Sequence, residues 1–182
     1  MKKEVFVWQI VGFIFTCIFG VLLHFLFDWT GGSISVAPFS AVNESIWEHM
    51  KLLFFPMFVF ALIENRYIGK DYPCFWYVKL IGIVLGVVLI PVLYYTTNGA
   101  FGEMPDWVNI VIFFVTAMVS YLVEFKMFQD GCKECRFSMA AFTMLLLIAL
   151  IFIIFTFLPL QIPLFRNPVT GEYHNNFYNL AE

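Results

Sequence analysis

Charge is what this sequence has least of. Its 182 residues include 10 Lys and Arg and 13 Asp and Glu, so charged side chains make up 13% of the chain. A typical soluble domain carries about 25%. The net charge of −3 provides no broad basic field for phosphate backbones, which excludes a nucleic-acid binder. Period-two alternation is missing from the long apolar runs, and each run is about twice the length of a barrel strand, which excludes a transmembrane β-barrel. No internal repeat is present, which argues against an inverted-repeat transporter. What the chain has in abundance is apolar surface. Apolar residues make up 62% of it, with 24 Phe. A compact soluble domain of 21.2 kDa could not cover that much, and a disordered chain would not contain it. The class that remains is an all-α, polytopic transmembrane helical bundle whose first partner is the lipid bilayer.

A helix needs about 20 mostly apolar residues to cross the hydrocarbon. Five segments qualify: Val5–Phe27, Ile46–Ile63, Phe75–Tyr95, Trp107–Phe128 and Ser138–Leu158. The first is too long, and lacks the small-residue cleavage site, for a signal peptide, and reads as a retained helix. Residues 1–158 form one five-helix domain. Residues 159–182 form a short tail, broken by Pro163, Pro168 and Gly171. Lys2, Lys3, Arg66, Lys70, Lys79, Lys126, Lys133 and Arg136 fall on one side, and only Lys51 and Arg166 on the other. The positive-inside rule therefore puts the N-terminus in the cytoplasm and the C-terminal tail outside.

The second span is the least regular. It opens with Asn43-Glu44-Ser45-Ile46-Trp47-Glu48-His49-Met50-Lys51, and clean apolar sequence runs only from Leu52 to Ile63. Glu48, His49 and Lys51 then sit at the outer hydrocarbon boundary, where ionisable groups must face the bundle or a wet cavity. Ser45-x-x-Glu48 also matches a capping box, which would make Glu48 a helix cap. Glu44 and Glu48 stack one turn apart and need a cation nearby. His24 lies at the same depth near the end of the first span, close to Asp28 and Trp29, and His174 lies in the tail on the same side. Two histidines with a carboxylate suit zinc or another divalent metal with an open coordination position. His24, Glu44 and His49 are the candidate ligands. Glu48 and His49 are the candidate acid–base pair. Asn43, Trp47 and Lys51 join His24 and Glu44 as candidate ligand-binding residues. Glu48 and His49 are adjacent, so their side chains diverge by about 100° on a helix, which works against both holding one ion.

Elsewhere the signals are weaker. Cys132-Lys133-Glu134-Cys135 is a lone CxxC in an inner loop, with Cys74 in the neighbouring loop. A reducing cytoplasm makes these free thiols rather than a disulfide. Gly82 and Gly86 form a GxxxG that can pack helices inside the bundle or between two copies of the chain. Glu64, Arg66 and Glu124 are expected to snorkel to the inner surface or pair with loop residues.

The string Ala41-Val42-Asn43-Glu44-Ser45-Ile46-Trp47-Glu48-His49-Met50-Lys51-Leu52 resembles the signature of a family of small bacterial membrane proteins, common in Firmicutes, known as a domain of unknown function. His24–Trp29, Leu52–Pro56, Ile162–Phe165 and Asn167–Gly171 resemble it too. The resemblance implies a bacterial plasma-membrane location and no known activity. It marks His24, Trp29, Asn43, Glu44, Trp47, Glu48, His49 and Lys51. Family members tend to end soon after a Tyr-Gly that follows the last motif. This chain instead has Tyr173-His174 and further residues, so His174 falls outside the resemblance.

The expected function is an outer-face polar site that binds a small ligand, a lipid headgroup or a metal, with hydrolysis or group transfer as the chemistry open to it. The alternatives are a non-catalytic membrane subunit or assembly factor with a protein partner, and a small transporter. Orientation is tested by thiol labelling in a variant lacking the native cysteines. A membrane-impermeant reagent should label Ala100→Cys in intact cells and Lys70→Cys only after permeabilisation. The reverse pattern would invert the topology.

Overall fold

The computed structural model describes residues 2–102, 104–131 and 137–173. Among these residues the chain forms α1 (Lys2–Trp29), α2 (Ile46–Ile68), α3 (Phe75–Phe101), α4 (Asp106–Asp130), α5 (Ser138–Phe157) and a short 3₁₀ turn at Pro163–Phe165, with no strand. Each of the five helices is long and apolar enough to cross a membrane. The protein is a multi-pass membrane protein. Most helices outrun the apolar stretches that the sequence marks out, because backbone hydrogen bonding continues past the last apolar residue until a glycine stops it. After α1, Gly31 and Gly32 adopt φ of 65° and 78°, and their amides return to the Asp28 and Phe27 carbonyls.

α1 packs against α2 and α4, and α3 packs against the same two helices, so these four close a ring. α5 lies outside it, against α3 and α2. α2 is the core helix: 78% of its apolar window is buried, against 17% for α1 and 22% for α5. The lipid-facing surface is therefore mostly α1 and α5, where Val7, Ile14 and Leu147 are exposed. Behind α5 the chain folds back onto α2. Phe165 is buried and stacks on Trp47, with ring centroids 4.6 Å apart.

The charges inside the bundle depart from expectation. Lys79 is not a loop cation: it is 1% exposed. It pairs with Glu64 of α2 and with Glu124 of α4, the latter at 2.5 Å. Gln9 of α1 donates its amide to Glu64 at 2.9 Å. The Lys79 ammonium also lies 5.6 Å from the ring centroids of Phe75, Tyr121 and Phe128. Glu64 and Glu124 thus do not snorkel, and both are fully buried. Burying a charge is tolerable only when it is paired, and here one ammonium satisfies acids from two other helices. Gly82 and Gly86 make room for this. A Cβ at Gly82 would stand 2.3 Å from the Glu124 side chain, and one at Gly86 would stand 2.3 Å from Ser120 Oγ. The glycine pair serves α3–α4 packing within the chain.

Cys132, Lys133, Cys135, Arg136 and His174 lie outside the described residues. Cys74 is disulfide-bonded, not the free thiol expected at that position. That expectation rested on a reducing compartment, and the labelling experiment above tests the same assumption.

Lys79→Met should destabilise the detergent-solubilised protein by about 3–5 kcal/mol, because it leaves buried carboxylates uncompensated. Adding Glu64→Gln and Glu124→Gln should restore most of the loss. A single variant that melts with the wild type would show that the cluster does not hold the helices together.

Candidate functional site

The stretch 43–51 turns the chain from a loop into α2, and successive side chains there face different surroundings. Glu48 and Lys51 face inward, 1% and 0% exposed. They form an ion pair at 2.5 Å. The Lys51 ammonium also donates to the Ala37 carbonyl and to Thr156 Oγ1 of α5, each at 2.9 Å. An ammonium has three protons, and all three are used. Glu48 in turn accepts the Val42 backbone N–H at 3.1 Å. The pair thereby clamps the α1–α2 loop at residues 37 and 42.

This arrangement replaces the capping box. Ser45 is the N-cap residue, but its side chain makes no capping hydrogen bond. Its N–H goes to Asn43 Oδ1 at 2.8 Å. Asn43 thus takes the amide that a capping-box glutamate would hold, and Glu48 turns instead to Lys51 and the Val42 amide. Trp47 is buried too, packed between Phe152, Phe155 and Phe165. It joins α2 to α5 and the 3₁₀ turn.

His49 points elsewhere, as its position next to Glu48 predicts. Its Nδ1 lies 2.9 Å from the Ser45 carbonyl. A carbonyl only accepts, so Nδ1 carries a proton, and the neutral ring presents a bare Nε2. That Nε2 is 3.8 Å from Glu44 Oε2, while Glu44 Oε1 is 3.7 Å from His24 Nε2. The two imidazole centroids are 5.7 Å apart. One ligand atom from each of His24, Glu44 and His49 lies within 4.8 Å of the others. Glu44, the most exposed of the three, opens the group to water at 49% side-chain exposure.

The spacings are informative. At 3.7 and 3.8 Å the carboxylate is too far from either ring for a hydrogen bond. Two ligands of a tetrahedral zinc stand roughly 3.3 Å apart, given bonds of about 2.0–2.1 Å. The two carboxylate–imidazole gaps are about 0.4–0.5 Å wider, and the three ligand atoms as a set lie within 4.8 Å of one another. A bare Nε2 facing a carboxylate oxygen is repulsive unless a cation or a proton lies between them.

DUF6512, a family of unknown function, matches residues 1–175. The chain belongs to this family. No curated protein and no solved structure matches it. In this DUF6512 chain the sequence-marked residues divide into two groups. His24, Glu44 and His49 come together at the end of the bundle. Glu48, Lys51 and Trp47 lie behind them in the core, and Asn43 orders the turn into α2. Sequence reasoning missed Thr156 and the Ala37 carbonyl, which complete the Lys51 shell. A lone threonine in an apolar span and a backbone carbonyl carry no signal of their own.

Thermal unfolding separates the two groups. Glu48→Ala leaves a buried ammonium without its counter-ion and should cost about 3–5 kcal/mol. His24→Ala, at a half-exposed position, should leave the midpoint within a few degrees of wild type. Equal losses in both variants would mean that the histidine group is part of the same structural core.

Proposed function

We propose that this protein binds a divalent metal, with zinc the best match, through His24, Glu44 and His49 on the outer face of the bacterial plasma membrane. The observation that carries this reading is the placement of one carboxylate between two imidazoles, at distances too long for hydrogen bonds and close to the spacing of metal ligands. The Ser45 carbonyl supplies the outer-shell support expected of a ligating histidine, since it fixes the ring and leaves Nε2 free. Two histidines and one carboxylate leave a coordination position open. Such a centre equips the protein for hydrolysis of an ester or phosphate ester. Water's oxygen joins the carbonyl carbon or phosphorus, the bond to the leaving oxygen breaks, and that oxygen takes up the proton. Glu48 acts here as a positioning residue: with Lys51 it holds the loop that presents Glu44.

Elemental analysis of detergent-purified protein reloaded with zinc tests the reading. Wild type should retain near-stoichiometric zinc, and His24→Ala, Glu44→Gln and His49→Ala should each lose it with their folds intact. Protons compete with the metal for both imidazoles, so retention should fall as pH is lowered. Zinc absent from wild type, or equal in His49→Ala, would overturn the assignment.

A further inference from the structure

An apolar cleft of about 140 Å³ adjoins the histidines. Its walls are α1, through Gly20, Val21 and Phe25, and α4, through Ile110, Phe113 and Phe114. Its volume is comparable to the ~150 Å³ apolar cavities that take up benzene. Gly20 shapes its floor, since a Cβ there would stand 2.4 Å from the Phe113 ring. Val21, Phe25, Ile110 and Phe114 are exposed apolar residues on membrane-spanning helices, so the mouth opens to hydrocarbon rather than to water. His24 and His49 also line it. They are the two residues shared by the cleft and the three-ligand group, whose third member, Glu44, faces water.

The site is thus reached from two sides, an aqueous one at Glu44 and a hydrocarbon one between α1 and α4. We infer that its ligand is an anionic membrane lipid whose acyl chain lies in the α1–α4 cleft and whose phosphate reaches the metal. This rests on the metal reading above. Depth agrees with it. Gly20 is nine residues from Trp29, roughly 13 Å along the axis, which keeps the cleft within one leaflet of a ~30 Å hydrocarbon layer. Charge agrees as well. A divalent ion with one carboxylate and two neutral imidazoles would carry a single positive charge, which an anionic headgroup balances. A fully water-soluble substrate would leave the apolar walls without a partner.

The test is photocrosslinking with phosphatidic acid carrying a diazirine in its acyl chain, in phosphatidylcholine vesicles containing the zinc-loaded protein. Labelling should concentrate on Val21, Phe25, Ile110 and Phe114 over the equally lipid-exposed Leu146, Leu147 and Leu150 of α5. Unlabelled phosphatidic acid should compete it away, and chelation should reduce it. Val21→Trp with Ile110→Trp fills the mouth from two exposed positions, and should bring labelling down to the α5 level with zinc content unchanged. Zinc bound with uniform labelling across α1, α4 and α5 would overturn the lipid assignment and leave the metal centre standing. Competition by inorganic phosphate without enrichment in the cleft would do the same and point to a free phosphate. Absence of zinc from wild type would overturn both.

Discussion

The end of the bundle that brings His24, Glu44 and His49 together depends on a lysine ammonium buried in an apolar bundle. Lys51 has no water to solvate it, so its protons must be matched by acceptors in the protein. The acceptors come from α2 itself, from the α1–α2 loop and from α5. Satisfying one charge therefore brings three distant parts of the chain together. Because Glu48 also takes the Val42 amide, the loop is fixed two residues before Glu44. The carboxylate between the two imidazoles is held by a group that does not belong to the site.

The same constraint recurs at the opposite end of the bundle. Lys79 binds acids from α2 and α4, and Gln9 of α1 completes the set. Between the two ends, Thr16 and Tyr121 share a hydrogen bond of 2.8 Å, and aromatic rings fill much of the remaining space. Lipid tails offer no hydrophobic gain for bringing apolar helices together, so specificity must come from close packing and from polar groups that have only one satisfactory partner. Two lysines at opposite ends supply it, with Gly82 on α3 letting Glu124 approach.

Much of this was legible in the residues. Long apolar runs marked the five spans, because hydrocarbon thickness sets a minimum length that little else in a sequence imitates. The shared depth of His24 and His49 followed from counting residues inward from the helix ends, and the divergence of Glu48 from His49 followed from helical pitch. The inward direction of Lys79 is not given by its position alone, because one charge at the start of a span looks the same whether it points to water or inward. A usable signal was present, however. Lys79, Gly82, Ile83 and Gly86 follow the i, i+3, i+4, i+7 spacing of a single helix face, and a lysine on the same face as two glycines points at a neighbouring helix. The Lys51 acceptors could not be read at all, since they depend on how loop and helix meet in three dimensions.

The central position of α2 has a consequence for biogenesis. It is the least apolar of the five spans, with mean hydropathy 1.6 against 2.0 to 2.8 for the others. On its own it is the poorest substrate for the insertion machinery, since each ionisable residue at membrane depth opposes partitioning into lipid. Two of its compensating partners, Lys79 for Glu64 and Thr156 for Lys51, are synthesised after it. The helix that carries His49, one of the three grouped side chains, therefore has to wait at the translocon, or in a wet intermediate, until later helices arrive to cover its charges.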